Sequence, residues 1–272
     1  MKKTALISFI LLNSFFCFAQ SFPKKQTLIP LSNANGVPFY KDQELSDLVI
    51  DGFEIDNKGD FYFMGGDKTG CLAVFSGTKQ VFRKNNLRLH NSQIYLCKNN
   101  LYTFDHVNND LIILNPSNGT LIKKYGHITN KGINSYTFAD SSLILEILKD
   151  TTIFHERYNL TGKFIGKAPN EFDLNPKILP EKDAQLLGMW NDNFVFWDVT
   201  GDKLDTETFW LVNKEGKVLA TKMLKKTNVI FGIGYAPPTE DKKVRNGSLF
   251  VLGRKGNNAL ITEVPLSTFF TK

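Results

Sequence analysis

Glu207-Thr208-Phe209-Trp210-Leu211-Val212-Asn213-Lys214-Glu215-Gly216-Lys217-Val218-Leu219 reads as strand, turn, strand. Phe209 to Val212 are aromatic or apolar and favour extended, half-buried backbone. Asn213 is suited to hydrogen-bond its own local backbone and open a turn. Gly216 tolerates the positive φ that a tight hairpin needs. Lys217 then faces water, and the apolar residues resume at Val218.

The same unit recurs as Leu114-Asn115-Pro116-Ser117-Asn118-Gly119-Thr120-Leu121-Ile122, as Tyr158-Asn159-Leu160-Thr161-Gly162-Lys163-Phe164-Ile165, and more loosely as Phe75-Ser76-Gly77-Thr78-Lys79-Gln80-Val81-Phe82. The turn glycines stand at 77, 119, 162 and 216, spaced by 42, 43 and 54 residues. A period of roughly 40 residues with several short strands per unit is the mark of propeller blades. A β-sandwich with chance turns is the competing architecture, but sandwiches space their turns more closely. Short polar turns before each second strand, such as Lys58-Gly59-Asp60 and Asn191-Asp192-Asn193, support the same register.

The expected architecture is therefore an all-β propeller of four-stranded antiparallel blades over residues 46–272, with five blades favoured and six open. Blade 1 spans Ser46 to Asn85, and blade 2 begins near Leu87-Arg88-Leu89-His90. Blade 3 begins at Tyr136 and blade 4 at Leu186. Blade 5 is expected to begin at Val229-Ile230-Phe231, with a charged loop from Thr239 to Asn246 and strands at Leu249–Leu252 and Leu260–Val264. It lacks a fourth strand, so Gln26 to Leu31, within the polar segment 20–45, is expected to close the ring. Pro169, Pro176 and Pro180 exclude a central strand from residues 166–182.

Residues 1–19 read as a secretory signal peptide. Lys2 and Lys3 form a basic start, Ala5 to Phe16 an apolar run, and Cys17-Phe18-Ala19 a cleavage site before Gln20. The lipoprotein alternative, through Cys17, is disfavoured because Phe16 stands where a small residue is wanted. No later run is long and apolar enough to span a bilayer. A periplasmic or extracellular location is expected, as a monomer. Cys71 and Cys97 fall at opposite ends of parallel strands in neighbouring blades, so two unpaired thiols are expected. The formal charge of +6 is spread along the chain without a basic stripe, which speaks against a nucleic-acid partner.

Gly166-Lys167-Ala168-Pro169-Asn170-Glu171-Phe172 resembles the Gly-x-Gly-Pro-Gly-Glu-aromatic turn of secreted Bacteroidota propellers of the NHL, six-bladed type, with two glycines replaced. The apolar run ending in Ala19-Gln20 is similar to the signals of the same proteins. The resemblance implies a propeller and transfers no activity.

Candidate chemistry is sparse. Glu54, Asp105, His106, Glu146, His155, Asp198 and Glu263 have the side chains that a channel calcium or zinc would need, but their spacing selects none. Asp56-Asn57-Lys58-Gly59-Asp60 lacks the later bidentate Glu of a calcium loop and reads as a turn. No Gly-x-Ser-x-Gly elbow occurs, and Gly232-Ile233-Gly234 is no nucleotide fingerprint. Asp150-Thr151-Thr152 and Asn159-Leu160-Thr161 match short glycosylation patterns, and the second is also a repeat turn.

Trp190, Trp197 and Trp210 gather in blade 4 beside Asp192 and Asp198 and form the candidate ligand-binding set. Filling of the space between blades is the competing role, and the 23 phenylalanines favour it. Alternation turns Phe194 and Phe196 one way and Trp197 the other. The function expected is non-catalytic binding or scaffolding of a protein or carbohydrate, through loops 166–182 and 236–247. A propeller hydrolase or lyase with a divalent cation in its channel is the alternative.

Overall fold

The computed structural model describes residues 24–30, 50–65, 70–87, 89, 93–139, 141–182, 184–200, 206–225, 242–255 and 258–271. The signal peptide, residues 31–45, His90, and the strand expected at Val229–Phe231 lie outside them.

Five antiparallel four-stranded sheets make a five-bladed propeller. An N-terminal strand, β1 (Lys25–Pro30), precedes the blades. Blade 1 is β2 (Ile50–Ile55), β3 (Asp60–Gly65), β4 (Cys71–Ser76) and β5 (Lys79–Asn85). Blade 2 is β6 (Ile94–Cys97), β7 (Asn100–Asp105), β8 (Asp110–Leu114) and β9 (Leu121–Tyr125). Blade 3 is β10 (Ile133–Ala139), β11 (Ser142–Lys149), β12 (Thr152–Asn159) and β13 (Phe164–Ala168). Blade 4 is β14 (Gln185–Trp190), β15 (Asn193–Thr200), β16 (Thr206–Val212) and β17 (Val218–Lys225). Blade 5 is β18 (Lys242–Arg245), β19 (Ser248–Lys255) and β20 (Asn258–Pro265), completed by β1. The innermost strand comes first in each blade. The rim where these strands begin is called upper, and the rim where they end, lower.

The lower turns repeat one device. Asn213 Oδ1 accepts the amides of Glu215 at 3.1 Å and Lys217 at 2.8 Å. Asn159 does the same for Thr161 and Lys163, both at 3.0 Å, and Asn115 takes the Ser117 amide at 2.8 Å. In blade 1 the Asp56 carboxylate accepts Lys58 N at 2.8 Å and Asp60 N at 2.9 Å, which spends it on the turn. Gly216 has φ +84, and a Cβ there would lie 2.5 Å from the Lys177 carbonyl oxygen. The turn thus leans on the 3-10 turn Pro176–Ile178 of the connection between blades 3 and 4.

Three expectations need correction. The innermost strand of blade 5 is β18, inside the stretch expected to be a charged loop. The strand β13 continues through Gly166, Lys167 and Ala168, so the first part of the resembling turn motif is sheet. Leu87 and Leu89 lie outside any strand; Leu89 is buried, and its backbone lies so close to Gly70 that a Cβ there would be 2.6 Å from the Leu89 oxygen. With five blades, the likeness to six-bladed propellers does not extend to blade number.

Packing runs between blades. Phe53, Phe61, Phe63 and Phe75 of blade 1 meet Ile29, Phe250, Leu252 and Ile261 of blade 5 across the seam where the chain's two ends join. The pairing of β1 with β20 runs from Lys25 opposite Glu263 to Pro30 opposite Asn258. At the inner edge of this seam stands Glu54, whose side chain is wholly buried. Arg245 Nε donates to Glu54 Oε1 and Nη2 to Oε2, both at 3.1 Å, and Lys243 Nζ lies 3.8 Å from Oε2. A buried carboxylate is tolerated only when paired in this way.

Arg245→Ala leaves the buried Glu54 carboxylate with Lys243 at 3.8 Å and the Ile55 amide at 3.2 Å, and the expected loss is about 3–5 kcal/mol by urea denaturation. Glu54→Gln should cost less, because the Arg245 side chain is 30% exposed and can rehydrate. The reverse order would contradict the assignment of Glu54 as the dependent partner.

Candidate functional site

The five residues singled out in blade 4 do not converge. Trp190, at the lower end of β14, stacks on Phe270 with ring centroids 6.4 Å apart. Asp192 sits in the lower turn, 3.3 Å from Lys214 Nζ and widely exposed. Trp210, halfway along β16, is buried against Phe194, Phe196 and Leu174 on the side towards blade 3. Trp197 is buried on the opposite side, among the residues shared with blade 5. Asp198 follows it near the upper end of β15. The alternation read from the sequence holds, since Phe194 and Phe196 pack on one side and Trp197 on the other.

Around Trp197 the upper end of the interface between blades 4 and 5 is polar. Lys242, the first residue of β18, holds its Nζ 3.9 Å from the centroid of the Trp197 ring. The same Nζ lies 3.6 Å from Glu207 Oε1, and both side chains are at most 5% exposed. Gln185 stands opposite Trp197 in the β14–β15 ladder. Among the described residues, Trp197 Nε1 and Gln185 Oε1 are buried here with no hydrogen-bond partner. A buried, unmet donor or acceptor costs about 1–3 kcal/mol, so such a pair marks a place built for something else. Together they offer one donor and one acceptor beside a cation and a carboxylate. A hydroxyl or an amide group has the matching chemistry.

A second polar group lies on the other side of blade 4. Glu146 of β11 and His155 of β12 face each other across the ladder, with Oε2 and Nε2 3.5 Å apart. The Asn134 side-chain amide donates to Glu146 Oε1. Glu171 approaches from the connection 169–184. Burial pushes its carboxyl pKa up; the field of His155 opposes the rise, and that of Glu146 adds to it. Asn170 shapes this connection by accepting the amides of Phe172 at 3.0 Å and Leu174 at 3.1 Å. An ion pair between Arg157 and Asp173 pins it to β12.

The structure joins Glu146 and His155 from the candidate metal set and disperses the others. Glu54 is bound by Arg245. Asp105 caps its own turn, accepting from the Asn108 side chain at 2.6 Å, and His106 is exposed in that turn. Glu263 accepts from Ser248 Oγ at 3.1 Å. Among the described residues, no three His, Cys, Asp or Glu side chains come together as a metal site. Cys71 and Cys97 form no disulfide, and Cys97 Sγ lies 3.3 Å from Ser141 Oγ. Sequence reasoning missed Lys242, Gln185, Glu207 and Glu171. For Lys242 a signal existed, because Asn246-Gly247 is a two-residue hairpin turn that implies a strand at 242–245.

No protein-family model and no curated protein sequence matches the chain. Among solved structures it is similar to a member of the DUF4221 family from Bacteroides vulgatus, with 11% identity, TM-score 0.49, and 88% of this chain and 95% of that one covered. A putative exported protein from Bacteroides fragilis gives 8% identity and TM-score 0.46, over 90% of this chain and 96% of that one. BamB from Moraxella catarrhalis gives 10% identity and TM-score 0.37, over 79% and 85%. Each is a likeness in the course of the chain and says nothing about a ligand.

The raised carboxyl of Glu171 has a consequence for stability. Its charged form bears the burial penalty above the raised pKa, and the penalty vanishes below the ordinary glutamate range, where the group is neutral folded or unfolded. Glu171→Gln should therefore raise Tm at neutral pH, and the gain should fade as pH drops to about 3. An equal gain at both pH values would trace the effect to packing.

Proposed function

We propose that the protein is an exported, non-catalytic propeller that binds a protein or carbohydrate at its upper rim, between blades 4 and 5. One observation carries this reading: Trp197 Nε1 and Gln185 Oε1 are buried without partners among the described residues, beside the Lys242 ammonium. The indole N–H would meet a ligand oxygen, and the Gln185 oxygen a ligand O–H or N–H. Lys242, already held over the Trp197 ring, would add charge to the oxygen contact. Export rests on the signal-like residues 1–19. Trp190, Asp192 and Trp210 lie apart from this place.

The second reading is a propeller hydrolase or lyase using a divalent cation. It is favoured by the meeting of Glu146 with His155 at 3.5 Å. Elemental analysis of the purified protein separates the two, and stoichiometric calcium or zinc would overturn the first.

Trp197→Phe tests the binding site directly. It removes an N–H that has no partner among the described residues together with part of a buried ring, so Tm should fall modestly and binding is read well below it. Binding to an oligosaccharide array or a peptide library should fall about tenfold, the worth of one hydrogen bond to a buried donor. Undiminished binding in a stable Trp197→Phe variant would sink this placement of the site.

A further inference from the structure

The outer wall of the propeller has a composition unlike the rest. The outermost strands are β1, β5, β9, β13 and β17, with sequences KQTLIP, KQVFRKN, LIKKY, FIGKA and VLATKMLK. They carry nine Lys or Arg and no Asp or Glu. Every acidic residue that lies in a described strand belongs to the inner three strands of a blade. Lysine on an edge strand is a known guard against edge-to-edge pairing, and that alone would explain a basic wall.

It does not explain the apolar residues beside the lysines. In blades 2, 3 and 4 the outer strand opens, directly after its lower turn, with two large apolar side chains. Leu121 and Ile122 are 61% and 52% exposed, Phe164 and Ile165 49% and 43%, Val218 and Leu219 42% and 47%. Leu121 pairs with Leu114, Phe164 with Tyr158 and Val218 with Val212, which places all three pairs at the lower rim. A guard against aggregation would not repeat an exposed apolar pair on three successive blades. Lys163 and Lys217 stand immediately before two of these pairs, and Lys123 follows the third. Lys124 is already engaged by Asp110 and adds little.

Apolar side chains bordered by cations are what the boundary of an anionic bilayer selects. The apolar groups enter the zone between headgroup and acyl chain, and the ammonium groups meet lipid phosphates. We infer that the lower rim of blades 2 to 4 docks on the surface of an anionic lipid bilayer. Charge complementarity chooses this occupant: the outer strands carry no Asp or Glu, and at the lower rim Lys123, Lys163, Lys214 and Lys217 outnumber the exposed acids Asp192 and Glu215, so a second copy would meet net like charge. Gln185, opposite Trp197, and Lys242 are the first residues of β14 and β18, so docking would leave that rim turned away from the membrane. The inference is independent of any ligand at the upper rim.

Sedimentation of the exported form with phosphatidylcholine vesicles, with and without phosphatidylglycerol, tests it at low and high salt. Binding should require phosphatidylglycerol and weaken with salt. Replacing Lys123, Lys163 and Lys217 with Gln should lower partitioning by about a hundredfold, at about 1 kcal/mol for each lysine near the surface. The triple change Ile122→Ser, Ile165→Ser and Leu219→Ser should lower it about tenfold with Tm unchanged, because all three side chains are exposed. Equal binding to neutral vesicles, or none to anionic vesicles at low salt, would overturn the inference. So would an apolar variant that changes only the oligomeric state.

Discussion

The structure depends on one seam. A propeller needs its last blade to meet its first, and here the two belong to opposite ends of the chain. The outer edge is joined by β1, which completes blade 5 and buries Ile29 among residues from both blades. The inner edge is joined by Glu54 and Arg245, whose bidentate contact crosses from β2 to β18. Hydrophobic packing alone would tolerate sliding of one blade on the next. A buried carboxylate does not, because any displacement from its guanidinium leaves a charge in apolar surroundings. The ion pair therefore fixes the register of the seam, while the phenylalanines supply its cohesion.

Polar contacts of similar kind occur at other blade boundaries, each with different chemistry. Between blades 2 and 3, the Tyr136 hydroxyl accepts the Gln93 amide at 2.8 Å, and Glu156, buried beside the Tyr158 hydroxyl, is met by Lys131. Between blades 3 and 4, the connection 169–184 supplies Phe172 and Leu174 to an apolar cluster that includes Phe196 and Trp210. Blade 3 presents Glu146, His155 and Arg157 on that side beside buried Ile144, and the connection adds further apolar groups. The long proline-rich connection thus supplements a blade face. Its 3-10 turn in turn receives Gly216, so the hairpin between β16 and β17 is also anchored to the insertion.

How much of this was legible follows from what is local. The Asn-x-x-Gly turns are legible because the amides they satisfy are two to four residues away. Their period gave the blades, and the missing fourth strand of blade 5 pointed to β1. The innermost strand of blade 5 was misplaced because Lys242-Lys243-Val244-Arg245 looks like a charged loop. Its charges are tolerated in the interior only by distant partners, Glu207 for Lys242 and Glu54 for Arg245. Those pairings span 35 and 191 residues and leave no local pattern. For the same reason the aromatic cluster in blade 4 misled. Trp197 and Trp210 are close in sequence, yet the period of a strand and its antiparallel return put them on opposite faces of one blade.

That separation bears on where a ligand is to be sought. Four of the described lower turns are alike, with Asp56, Asn115, Asn159 or Asn213 accepting backbone amides of its own turn. Such turns have little freedom to differ, because each side-chain oxygen is spent on its own backbone. The connections at the upper rim are less alike, although Asp105 and Asn170 also accept amides of their own segments there. They range from a short span between β9 and β10 to the wedge between β13 and β14, and the polar side chains without obvious structural employment sit at their ends. Blade 4 is flanked on one side by the wedge and Glu171, and on the other by Lys242 and Trp197. Diversity and unmet hydrogen-bonding capacity coincide there, which is what distinguishes this rim from the rest of the ring.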